Sequence, residues 1–161
     1  MTAYLPVPQP EDVPVRERED AMGAYFMMFA SLAAGLPLPI INLIAAVIYL
    51  YINKSKSRFV HFHALQSLYS QLPTSLMNAV LVFWSIRIFI LEHFEMNDAF
   101  KGYVLTVILA NLVYFVFSII AAIRARKGRF YYFAVFGKLA YHQAYKERPE
   151  DKNEPVNQPP A

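Results

Sequence analysis

Between Ala21 and Ile52 the chain runs for 32 residues without one Asp, Glu, Lys or Arg, and this run limits the fold more than any other feature. As a single helix at about 1.5 Å per residue it would extend about 48 Å, against a hydrocarbon core of about 30 Å. Gly35-Leu36-Pro37-Leu38-Pro39 lies at its centre. Two prolines two residues apart remove two backbone donors and disfavour helix just before each ring. The pattern predicts a tight helical hairpin, Ala21–Leu36 across and Ile40–Asn53 back. The alternative is one long helix kinked at the prolines. Each hairpin arm is short, about 20–25 Å, so the bilayer must thin or the charged ends must snorkel.

The rest of the sequence shares this character. Only 17% of residues are charged and 57% are hydrophobic. Of 27 charged residues, seven lie in Glu11–Asp20 and eight in Lys138–Glu154, leaving 12 for everything between. Such a middle section cannot cover a soluble domain with polar surface. A soluble enzyme, a disordered chain and a nucleic-acid binder are therefore excluded, and the reading is an integral membrane protein in contact with the lipid bilayer. With no cysteine, disulfides, thiolate metal sites and a cysteine nucleophile are excluded too. The first twenty residues carry five acids and four prolines, unlike the basic start of a cleavable signal, so the first apolar run is expected to stay in the protein.

Two further runs are long enough to cross a membrane. Thr74–Leu91 is apolar apart from Asn78 and Arg87, and Ala99–Ile123 is apolar with Asn111 inside it. Between the first hairpin and the third span, Phe59–Leu72 has a helical period: His63, Gln66, Ser67, Ser70, Gln71 and Thr74 form one polar stripe, opposite Phe62, Leu65 and Leu68. Such an amphipathic helix lies in the interface or turns its stripe to a polar interior. Pro73 is expected to end or kink it. Gly128 is placed to stop the fourth span, and Phe130–Lys146, rich in Tyr, Phe and Lys, suits the headgroup level. Residues 1–20 and 147–161, Pro-rich and charged, read as disordered tails around a membrane domain at 21–146.

Loop charge sets the orientation. Lys54, Lys56 and Arg58 form one basic loop and Arg124, Arg126, Lys127 and Arg129 another, while Glu92, Glu95 and Asp98 make the loop between them acidic. Basic loops stay cytoplasmic, which turns the 92–98 loop outward and, with the hairpin, leaves both termini in the cytoplasm.

No residue set points to catalysis. His61 and His63 project about 200° apart on a helix and cannot share one ion, so no metal site is expected, and no cofactor-binding motif is found. Asn42, Asn78 and Asn111 fall one in each of three spans, where a buried amide must find a partner on a neighbouring helix. Arg87 lies five residues before Glu92 and can snorkel or pair with it. The stripe His63, Gln66, Ser67, Ser70 and Gln71 is the candidate partner- or lipid-facing surface. The absence of any acid between Ala21 and Leu91 argues against an ion-coupled transporter.

The segments Gly35-Leu-Pro-Leu-Pro39 with Asn42, Lys56-Ser-Arg58-Phe-Val-His-Phe-His63-Ala-Leu-Gln66-Ser-Leu68 and Ala122–Gly128 followed by Phe130-Tyr131-Tyr132 carry a resemblance. Together they resemble a family of small bacterial multi-pass membrane proteins, similar to the chloroplast inner-envelope import-channel (Tic) subunit of about twenty kilodaltons and to the magnetosome protein MamF. The resemblance covers roughly residues 21–140. It implies four transmembrane helices with both ends on one side and supplies no catalytic site. The expected architecture is thus an all-α polytopic membrane protein: four transmembrane helices, the first two a Pro-broken hairpin, plus the amphipathic helix. The expected function is that of a non-enzymatic subunit of a larger membrane complex, with protein translocation or insertion as its setting; the alternative is a small stand-alone channel or carrier.

Overall fold

The computed structural model describes residues 4–30, 39–53, 56–91 and 95–146. These form five α-helices: α1 (Val15–Phe26), α2 (Pro39–Asn53), α3 (Arg58–Phe89), α4 (Asp98–Arg126) and α5 (Ala134–Tyr145), with short 3-10 turns at Pro10–Asp12 and Met27–Phe29. Among the described residues the only strand-like pairing is an isolated bridge between Tyr4 and Lys146.

The chain doubles back between α1 and α2. The Lys56 ammonium pairs with the Asp20 carboxylate at 2.7 Å, and the Tyr49 hydroxyl donates to the Asp20 carbonyl at 2.7 Å. One kinked helix through 21–52 would hold Asp20 and Lys56 tens of ångströms apart, so the hairpin reading stands and the single-helix alternative does not. Pro39 opens α2, where its missing N–H has no intrahelical partner to lose. Residues 31–38, which hold Pro37 and the expected turn, lie outside the described residues.

Two expectations need correction. The first concerns residues 1–20. From Tyr4 onward this segment is packed, with Val13 buried in the core, and α1 begins at Val15, well before the Ala21 start that the sequence reading favours. The charged run does not stop the helix because its charges are taken up: Arg18 donates to the carbonyls of Val13 (2.7 Å) and Pro10 (2.6 Å), Glu19 pairs with Arg126 at 2.7 Å, and Asp20 holds Lys56. The tail at 147–161 lies outside the described residues. The second correction concerns Pro73, which neither ends nor separates two helices. The amphipathic segment and the third span are one 32-residue helix, α3, with Pro73 inside it. A proline removes one backbone bond, here the one to the Tyr69 carbonyl four residues back, and the helix runs on through it. In the turns around it the Thr74 hydroxyl donates to the Gln71 carbonyl at 3.1 Å and the Asn78 amide to the Thr74 carbonyl at 2.7 Å.

Helix α3 changes character at that proline. From Arg58 to Gln71 it is almost wholly buried; from Leu72 to Phe89 only Ile88 is. Its N-terminus is capped by the Ser57 hydroxyl, which accepts from Val60 N at 3.3 Å, and α4 is capped by the Asn97 side chain accepting from Phe100 N at 2.9 Å. Gly128 ends α4 as expected. Its φ of 70° allows Gly128 N to bond Ala125 O and Arg129 N to bond Arg124 O, both at 2.9 Å, the paired bonds of a left-handed helix stop. After Phe130 the chain is extended to Phe133, and α5 then packs on the buried half of α3 while its Val135 and Leu139 stay exposed. Small side chains Ala121, Ala122 and Ala125 bring α4 close to α1.

The outer halves of α3 and α4 are joined by polar contacts at two places: the Tyr103 hydroxyl donates to the Met77 carbonyl at 3.0 Å, and an amide pair lies beside it. Asn78 and Asn111 exchange amide hydrogen bonds in both directions, at 3.0 and 3.1 Å. Around them Leu76, Val80, Leu105, Ile108 and Leu112 are exposed, and α3 and α4 are both long and apolar enough to cross a membrane. A double-mutant cycle on Asn78→Ala and Asn111→Ala, read as thermal unfolding in detergent, should return a coupling of about 0.6 kcal/mol and no more than about 1.7. Additive losses would mean that the pair does not join the helices.

Candidate functional site

The stripe residues of α3 are brought together and turned inward. His63 and Gln66 have no exposed surface, and Ser67, Ser70 and Gln71 are within a few per cent of none. The residues that cover them were invisible as partners in the sequence, because they lie far along the chain in apolar segments.

Gln66 is the hub. Its Nε2 donates to the Tyr25 hydroxyl and to the Tyr131 carbonyl, both at 2.8 Å, and its Oε1 accepts from Phe133 N at 3.2 Å. Tyr25 Oη also lies 2.8 Å from His63 Nδ1. A phenol has one proton, and the Gln66 amide donates into its oxygen; its own proton is then free for Nδ1, leaving the neutral imidazole's proton on Nε2. The His63 ring is packed edge-on against Phe59 and Phe62, with centroids 4.6 and 5.0 Å away, and stacks on Phe130 at 5.7 Å. One turn on, the Ser67 hydroxyl donates to the Ala24 carbonyl at 2.8 Å and the Ser70 hydroxyl to the Ser67 carbonyl at 3.0 Å. The stripe therefore faces neither cytoplasmic water nor an open groove at His63 and Gln66. Gln66 and His63 Nδ1 are met within the chain, by α1 and the 131–133 link, while His63 Nε2 is buried with no hydrogen-bond partner.

Only the far end of the stripe opens outward. Ser70 lines a cleft of about 390 Å³ with Pro73, Tyr114, Phe117, Tyr131 and Phe136 among others. Of the stripe residues Ser70 lines this cleft, and Gln71 is buried. The sequence reading passed over Tyr25 and Tyr114, since a tyrosine in an apolar run counts as hydrophobic. Their hydroxyls are the signal that could have paired them with the stripe.

The other candidates are scattered. Asn78 and Asn111 form the pair described above, while Asn42 sits half-buried on α2. Arg87, near the end of α3, lies over the Phe83 ring at 5.8 Å and lines a hollow with Trp84 and Asn97. His61 is half-buried and does not share a site with His63. Among the described residues no group of three or more His, Asp or Glu could hold a metal ion. Beyond the helices, Tyr132, Tyr141 and Tyr145 form a cluster over the N-terminal segment, and burial pushes all three phenols up, so they stay protonated through the neutral range.

Gly137 completes the junction. A Cβ there would lie 2.8 Å from Gln66 Oε1 and 2.7 Å from Tyr132 Cα. Gly137→Ala should lower the unfolding temperature. Tyr25→Phe, which orphans His63 Nδ1, should cost about 1–3 kcal/mol, and Gln66→Leu more, because it strips three partners at once. Unfolding in detergent checks the order; a Gln66→Leu protein as stable as the parent would show that the junction does not hold the fold.

No curated protein and no solved structure matches the chain, so the likeness to the chloroplast import subunit stands on the quoted residues alone. The model of the magnetosome magnetite crystal formation protein family, MamF/MmsF, does match, over residues 19–139. That region takes in α1 to α4, the 131–133 link and the Gln66 junction, and with the two long apolar helices it makes this chain a small membrane protein of the MamF/MmsF family.

Proposed function

We propose that the protein is a non-catalytic integral membrane subunit that works by associating with a larger membrane complex. The observation that carries this reading is the fate of the polar stripe. Groups that would have to line a conducting path are consumed by Tyr25, the Ala24 carbonyl and the 131–133 backbone. What remains at the membrane level is an apolar exterior on α2, α3 and α4, suited to lipid and to neighbouring helices. The family's description points to the setting in which such a complex assembles, a membrane at which magnetite crystals form. Translocation or insertion machinery is the second setting, favoured by the block from Lys56 to Leu68.

In this reading the chain crosses the bacterial cytoplasmic membrane, or a compartment derived from it, four times, with both termini cytoplasmic. Asp20, Lys56 and Arg126 lie at one end of the bundle through their ion pairs, in keeping with basic loops on the cytoplasmic side. Cysteines introduced one at a time into this cysteine-free chain report the topology. Leu38→Cys and Asn97→Cys should react with an impermeant thiol reagent from outside, and Ser55→Cys and Lys152→Cys should not. Reaction at Ser55→Cys in intact cells would sink the model.

Purification in a mild detergent, followed by identification of co-purifying proteins, tests the function itself. A defined set of membrane partners is the expected result. A monodisperse lone protein that moves solute across liposomes would instead establish the small channel or carrier.

A further inference from the structure

Where α4 leaves its apolar stretch, the chain builds a polar concavity of about 460 Å³ lined by Pro10, Glu11, Arg18, Arg126, Lys127 and Arg129. We propose that this concavity binds the phosphate of an anionic phospholipid headgroup at the surface of the membrane that α4 crosses.

The cations are positioned by the backbone. Arg18 is fixed by Val13 O and Pro10 O, which leaves the rest of its N–H fork for another acceptor. The left-handed turn at Gly128 brings the backbone against Pro10, and its neighbours Lys127 and Arg129 both line the concavity. A Cβ at Gly128 would come within 2.9 Å of that oxygen and 3.3 Å of Arg18 Nε, so the wall closes only around glycine. Four cationic side chains meet two carboxylates, Glu11 in the lining and Glu19 on Arg126. The surplus of two positive charges suits a singly charged phosphodiester, and Glu11 can accept from hydroxyls on the same headgroup, as a glycerol head carries.

Three observations favour a lipid over a free anion. The site lies immediately beyond the apolar α4, which ends at Arg126; Lys127 and Arg129 are exposed; and Phe130 and Tyr131 follow as ring-bearing residues of the kind found at headgroup depth. Basic pockets at helix ends are the usual place for anionic heads. The inference rests on α4 spanning a bilayer, which membrane fractionation of the full chain establishes separately.

The test uses full-length protein in neutral-detergent micelles, with bound lipid read by native mass spectrometry. Dioleoyl phosphatidylglycerol should be retained at one equivalent, and dioleoyl phosphatidylcholine should not. Lys127→Gln with Arg129→Gln should weaken retention roughly 10- to 30-fold. Lys138→Gln with Lys146→Gln, which removes the same charge from the α5 side, should leave it unchanged. Equal weakening in both variants would reduce the site to general surface charge and overturn the proposal. Displacement of the lipid by an equal concentration of inorganic phosphate would make it a free-anion site and overturn the lipid reading.

Discussion

The side-chain amide of Gln66 holds the fold together. Three segments, around residues 25, 66 and 131–133, meet on its oxygen and nitrogen. Away from water, an amide without partners costs far more than a paired one gains, so these segments come together as a set. The neighbouring contacts follow from that meeting. Ser67 reaches the Ala24 carbonyl because α1 is already against α3, and α5 can approach only because residue 137 has no side chain. Buried Arg58, donating to the Ala144 carbonyl at 3.0 Å, ties the far end of α5 to the same half of α3. The inner half of the bundle is thus specified by polar pairing among aromatic rings, and the outer half by apolar surface with the Asn78–Asn111 pair and the Tyr103–Met77 hydrogen bond.

Electrostatics reinforces this division. The N-terminal segment has a surplus of acids, and both loops that it meets are basic. Glu19 reaches the second of these, Asp20 the first, and Arg18 turns back onto carbonyls of its own segment. As partly exposed pairs, these contacts contribute little stability individually. Their effect is on arrangement, since they gather residues 18–20, 56 and 126 at one end of the helices and leave the acidic loop near residue 98 at the other.

Much of this was legible in the sequence, for identifiable reasons. The start of α2 at Pro39, the stop at Gly128 and the limits of α4 follow from local chemistry. The stripe was legible as a face, because helical spacing alone places His63, Gln66 and Ser70 on one side. What covers it was not, because Tyr25 and the 131–133 backbone are remote and carry no periodic signal. Pro73 misled because a proline ends a helix only where nothing else fills the space around it. The charged run at 16–20 misled because its neutralising partners, Lys56 and Arg126, are distant in sequence and near in space.

The junction also has a direction in time. Gln66 and Tyr131 are 65 residues apart. A ribosome adding about 5–20 residues per second delivers the second roughly 3–13 s after the first. Throughout that interval the inner half of α3 exists without the 131–133 strap, and its amides can be satisfied only by Tyr25, by water or by headgroups. The apolar half of the same helix has no such need and can enter lipid at once. Insertion and folding are therefore separate events for this chain, and the second waits until residues 131–133 have been made.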